Sequence, residues 1–226
     1  MRKSLALTFL LLCASATAFA QAGSGNPENW CRNGFFPADG PDFKIARVVG
    51  AKGARAYFHG DEGECPKVGG LKCRTKSYLI PGDEVIVARV FGGWACGWYQ
   101  PRRGSETVGW LPVESLSFAG PTPAPTLEQW VGDWRFYDQS LEIKAEGGVL
   151  KVEGQALWRG LGDNVHVGEV NAAARPQGDV LSLVEEEGGC AVTLKMVGSY
   201  LVVRDNAQCG GANVRFDGVY RKRARR

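Results

Sequence analysis

The chain has 226 residues, 44% hydrophobic and 23% charged, with a formal net charge of +3. A balance so near neutrality argues against nucleic-acid binding, and beyond the N-terminus no segment approaches the ~20 consecutive apolar residues of a membrane-spanning helix. Two histidines and no C-x-x-C leave little from which to build a zinc site.

The first twenty residues read as a signal peptide. Arg2 and Lys3 precede an apolar run from Leu5 to Ala14, and Ala18-Phe19-Ala20 forms an A-x-A cleavage site. Cleavage near Ala20 predicts a periplasmic or secreted protein beginning at Gln21. Cys13 follows Leu12, where a lipidation site calls for a small residue. Removing Cys13 leaves Cys31, Cys65, Cys73, Cys96, Cys190 and Cys209, and an even number of cysteines in an oxidising compartment reads as disulfides.

Residues 28–118 read as one small domain. Short β-rich runs (KIARVV, ARAYFH, KSYLI, DEVIVARVF, WACGWYQ, TVGWLPV) alternate with turns such as Pro81-Gly82-Asp83 and Gly92-Gly93. The set predicts a small antiparallel barrel. A linker over 119–127, centred on PTPAPT, follows; its prolines favour extended geometry and cannot join a sheet ladder. Residues 128–222 then read as a second all-β domain, an up-and-down antiparallel barrel of about eight strands. Fourteen acidic against eight basic residues make 128–220 acidic, whereas the RKRARR ending, with 223–226 taken as a tail, is basic and reads as solvated.

YLIPGDEVIV, GGWACGWY and TVGWLPVESL resemble the strand after a Pro-Gly-Asp turn, the aromatic central strand and the closing Gly-Trp strand of bacterial SH3 domains. The resemblance covers about 43–118 and implies an SH3-like barrel that binds cell-wall peptides or envelope proteins. HGDEGECPKVGGLKC (59–73) departs from it as an insertion. The four cysteines of this half allow three pairings. Cys65 with Cys73 and Cys31 with Cys96 is preferred, since it gives one local and one long-range staple. In the second half, Gly132-x-Trp134 and Phe216-x-Gly218-x-Tyr220-x-Lys222 resemble the first and last strands of lipocalin-like barrels. DNAQCGGANVRFDGVY (205–220) is similar to segments of periplasmic lysozyme-inhibitor proteins. Cys190 and Cys209 would bridge two late strands, or a strand and the next loop.

Catalytic chemistry finds no foothold, and the chain reads as non-enzymatic and without a cofactor. Asp163, His166 and Glu169 resemble a ligand cluster, but on a regular strand His166 points away from the other two. Glu185, Glu186 and Glu187 precede Gly188-Gly189 and read as solvated turn-end acids. Neither G-x-S-x-G nor a Walker-type loop is present. Arg102, Arg103, Lys72, Arg74 and Lys76 read as scattered surface cations before they read as a patch.

Recognition therefore falls to aromatic residues: Tyr57, Trp94, Trp98, Tyr99 and Trp110, with Phe58 beside them. Trp94 and Trp98 share one strand face with Cys96 between them, and Tyr99 takes the other. Two indoles and a disulfide would crowd a small barrel, so Trp94 and Trp98 read equally as core or groove, while Trp110 reads as core. The second barrel's interior should be filled by Trp134, Trp158, Val167 and its aliphatic neighbours, which places recognition there on loops or the outer face. The expected function is envelope or peptidoglycan-peptide binding through the first domain. The competing expectation is inhibition of a cationic cell-wall hydrolase of lysozyme type, or an immunity role, through the acidic second one.

Overall fold

A computed structural model describes residues 26–36, 42–120, 123–185 and 188–223. The signal-peptide reading, Cys13, Glu186, Glu187 and the tail beyond Arg223 lie outside the described residues. The structure is dominated by two antiparallel sheets. Among the described residues, no helix is long and apolar enough to cross a membrane.

The first sheet has seven strands: β1 (Lys44–Val48), β2 (Ala56–His59), β3 (Arg74–Leu79), β4 (Glu84–Phe91), β5 (Trp94–Tyr99), β6 (Thr107–Pro112) and β7 (Leu116–Phe118). Their spatial order is β3-β2-β6-β5-β4-β1-β7, which leaves β3 and β7 at the edges. One face gathers Val48, Phe58, Leu79, Val85, Val87, Ala95, Leu111 and Leu116 into a core. Small residues on β5 leave room for it: a Cβ at Gly97 would lie 2.9 Å from Leu111 Cδ1 and would force that side chain to shift.

The second sheet comprises β8 (Gly132–Phe136), β9 (Gln139–Glu146), β10 (Val149–Arg159), β11 (Val165–Ala174), β12 (Val180–Val184), β13 (Ala191–Val197), β14 (Tyr200–Asp205) and β15 (Gly218–Lys222). The order β11-β10-β9-β8-β15-β14-β13-β12 is a nearly closed eight-stranded barrel. VLKVEG and ALWRG, which the sequence suggests are separate strands, form the single strand β10. A short helix, Leu127–Trp130, brings Trp130 into the barrel's core beside Trp134, whose indole N–H donates to the Trp130 carbonyl at 2.8 Å. Leu141, Leu150, Leu181, Leu194, Leu201, Phe216 and Tyr220 fill the rest. Val167 does not join them. Alternation along β11 turns Val170 inward, leaving Val167 exposed on the outer face.

The connection from β14 to β15 doubles back across β11. Gly168 and Gly210 form a backbone bridge so close that a Cβ on Gly168 would lie 2.2 Å from the Cys209 carbonyl. Two devices hold this strap. The Cys190–Cys209 disulfide fastens it to the barrel. The buried Asp205 carboxylate accepts Ala207 N–H at 2.7 Å, Arg215 Nε at 2.8 Å and Phe216 N–H.

Candidate functional site

Strand alternation puts Trp94, Cys96 and Trp98 on one face of β5, and that face is the outer one. It is nevertheless covered, from two directions. The first cover is the N-terminal segment, drawn in by the Cys31–Cys96 disulfide. Trp110 Nε1 donates to the Asn29 carbonyl at 2.6 Å. The Arg89 guanidinium stacks over the Trp110 ring, 5.1 Å from its centroid, and donates to the carbonyls of Glu28 (3.0 Å) and Trp30. Asp61, itself buried, accepts Cys31 N–H at 2.8 Å and Arg32 Nε at 2.7 Å, which locks the segment to the loop after β2.

The second cover is the barrel. Val197, Val202 and Val219 from its outer side join Ile86, Ala88, Cys96, Trp98 and Trp110 in one apolar cluster. Trp98 meets Tyr200 edge-on with centroids 5.6 Å apart, and Arg221 lies over both rings and donates to the Gln100 carbonyl. The Trp98 indole N–H donates to the Glu106 carboxylate. Burial pushes that carboxyl group above the usual carboxylate range, and the indole donor partly offsets the shift.

The aromatic run is thus neither the interior of the first sheet nor an open groove. Trp98 is 2% exposed and Trp110 0%. As placed, both are closed to a ligand from outside. Trp94 is half-buried with its ring 4.5 Å from that of His59, whose proton affinity burial lowers. Tyr99 is half-buried on the opposite side of β5 and packs against the first sheet's core.

Tyr57 is half-buried like Trp94 and Tyr99, but it lies beside the exposed strand β3. It lies directly opposite Tyr78 across the β2–β3 pair, with ring centroids 5.5 Å apart. Arg74 stacks 4.3 Å from the Tyr57 centroid and Arg55 stacks 4.4 Å from that of Tyr78. Tyr78 is 42% exposed. The Arg55 guanidinium at the Tyr57 hydroxyl holds that phenol below the usual tyrosine range. The result is a row of four stacked groups, cation–ring–ring–cation, facing solvent. Sequence reasoning reached Tyr57 and Arg74 separately and missed Tyr78 and Arg55. The β2–β3 register depends on the path of residues 60–73, which strand periodicity does not describe.

The cysteines pair as Cys31–Cys96, Cys65–Cys73 and Cys190–Cys209. Asp163 sits in a loop and Glu169 on the outer face, while His166 Nδ1 is engaged at 2.5 Å with the Ala212 carbonyl of the strap. Among the described residues, no three His, Cys, Asp or Glu side chains come together as a metal site. Lys72, Lys76, Arg102 and Arg103 are exposed; Lys72 and Lys76 lie near Arg74, whereas Arg102 and Arg103 belong to the β5–β6 loop.

The surface also carries concave regions. A mainly apolar cleft of about 810 Å³ lies between the sheets, lined by Phe43, Ile45, Val90, Phe118 and Met196 among others. A shallow hollow of about 340 Å³ lies on the outside of β9–β11, with Glu142, Glu153 and Glu169 at its rim. Lys144 pairs with Glu142 at 2.9 Å and Lys151 with Glu153 at 3.0 Å, so two of these acids are already partnered. Comparison with models of protein families, with curated proteins and with solved structures finds no match to the chain.

Proposed function

We propose that the protein is an exported, non-enzymatic binding protein of the cell envelope. It holds peptidoglycan stem peptides or an envelope protein through its first sheet, which we read as a bacterial SH3-like barrel with an insertion at 59–73. One observation carries the choice of surface. Tyr78 is 42% exposed and stacks beside the half-buried Tyr57, whereas Trp98 and Trp110 are occupied by the chain itself. Tyrosines at a surface suit peptide recognition because each offers an apolar ring and a polar hydroxyl. The N-terminal signal features and three disulfides support an oxidising destination.

The test is co-sedimentation of the full chain with purified sacculi. The protein should pellet, and Tyr57→Ala/Tyr78→Ala should reduce the bound fraction at least fivefold with an unchanged melting temperature. Equal pelleting of the variant, or no pelleting of the wild type, removes this reading.

A second reading is inhibition of a cationic cell-wall hydrolase, with an immunity role as its variant, through the second barrel, which we read as lipocalin-like and related to lysozyme inhibitors. It is favoured by the acidic rim of Glu142, Glu153 and Glu169 and by the β10–β11 hairpin tip, where Leu161 is 97% exposed. Residual lysozyme activity at rising protein concentration measures it directly. Turnover of muropeptides by the purified protein would contradict both readings.

A further inference from the structure

Strand β3 ends the first sheet, and every residue from Arg74 to Tyr78 is exposed. Among the described residues no strand pairs with its outer edge, and along the strand the Ser77 N–H donates to the Thr75 hydroxyl at 3.2 Å. Residues 50–59 and 70–80 contain Lys52, Arg55, Lys72, Arg74 and Lys76 and not one Asp or Glu. None of these five cations forms an ion pair among the described residues.

Charge alone on an edge strand is explained by protection against edge-to-edge aggregation. That role calls for solvated cations and nothing else. It does not call for Arg55 and Arg74 each to be stacked over a tyrosine ring. Stacking holds a guanidinium while leaving its in-plane N–H donors for an oxyanion, which is the arrangement of a recognition site.

We propose that β3 accepts an extended acidic segment of a partner protein as an added strand. The partner's main chain would pair with the free edge of residues 75–79. Its carboxylates at every second position would meet Arg74 and Lys76, with Arg55 receiving one at the far end of the tyrosine pair. Same-face residues of a regular strand repeat at about 6.7 Å, which sets the period of the acids, and the added strand would follow the register shift that β3 carries between Arg74 and Tyr78. A free strand edge favours a peptide over an anionic glycan, since only a peptide brings donors and acceptors in the same register. This goes beyond the wall-binding reading in naming the partner's chemistry, and rests on it only in using the first sheet as the binding surface.

The experiment uses the full chain and a fluorescein-labelled peptide of alternating glutamate and threonine. Controls are a matching lysine–threonine peptide and a hyaluronan oligosaccharide. Anisotropy should show binding of the glutamate peptide alone, weakened at least tenfold between 50 and 300 mM salt. Arg74→Gln/Lys76→Gln should weaken it at least tenfold at an unchanged melting temperature, and hydrogen exchange should slow at residues 75–79. Absence of binding, binding insensitive to the double substitution, binding without protection of these amides, or preference for hyaluronan would each overturn the proposal. Loss of sacculus binding with peptide binding intact would remove the wall reading and support this one.

Discussion

Replacing Trp98 by alanine separates a sealed interface from a binding groove. The side chain is 2% exposed and packs against Tyr200 and the apolar cluster between the sheets. Truncating a buried tryptophan costs about 3–5 kcal/mol. The upper part of that range applies here, because the substitution also strips the partly buried Glu106 carboxylate of its indole donor. For a chain of this size the loss corresponds to a fall in melting temperature of roughly 6–20 °C. Thermal unfolding with the disulfides intact provides the assay, and because Trp98 and Tyr200 belong to different sheets, Tyr200→Ala should be destabilising as well. The double-mutant cycle should return a coupling of about 0.5–1.5 kcal/mol, the usual worth of an aromatic pair beyond its buried area. A Trp98→Ala cost below about 1 kcal/mol, or a coupling indistinguishable from zero, would refute the packing described for this face.

Glu106 should make stability depend on pH. Its carboxyl is raised by burial in the folded state, so the folded protein binds the proton more tightly than the unfolded chain. Wild-type stability therefore declines as pH rises from the unfolded carboxylate value through the raised folded one. Glu106→Gln keeps an acceptor for the Trp98 indole and removes the titration; relative to wild type it should gain stability from pH 4 to pH 7, as read from unfolding midpoints. A variant that instead loses relative stability over that interval would show the carboxylate to be favoured in its site. In the strap, Asp205→Ala leaves Arg215 and two backbone N–H groups without their shared acceptor. Arg215 is 44% exposed and keeps Asp217, so the cost comes from the orphaned N–H groups, about 1–3 kcal/mol for each that is buried; it is measurable by urea unfolding, and a change under about 0.5 kcal/mol would mean that the strap is held elsewhere.

The eight-stranded barrel was the more legible half. Its short connections let alternating patterns register strand by strand, and Trp134, Leu141, Leu150, Leu181, Leu194, Leu201 and Phe216 all face inward as the pattern suggests. Two strand assignments strayed for one reason each. Gly154 reads as a break, yet it lies within β10 where the strand passes close to Leu141 and Val170. Val167 reads as core because it is aliphatic, while the phase of β11 is set by Val170.

The aromatic strand was legible in its periodicity and not in its surroundings. Alternation groups Trp94 with Trp98 and sets Tyr99 apart, while crowding leaves core and groove equally open for the two indoles. The outer face then has two fates, solvent or another part of the chain. Choosing between them depends on contacts such as Trp110 with Asn29 and Trp98 with Tyr200, separated by 81 and 102 residues, which leave no local pattern. The same holds for the open face: Tyr57 and Tyr78 become neighbours only through the register of β2 and β3.

The most direct measurement is a titration of the isotope-labelled full chain with soluble peptidoglycan stem peptides, following backbone amides and the tryptophan indole N–H resonances by NMR. The account predicts shifts at Tyr57, Arg74 and Tyr78, with the Trp98 and Trp110 indole signals unmoved. Shifts centred on those two indoles, with β2 and β3 silent, would contradict it and return the binding surface to the aromatic strand.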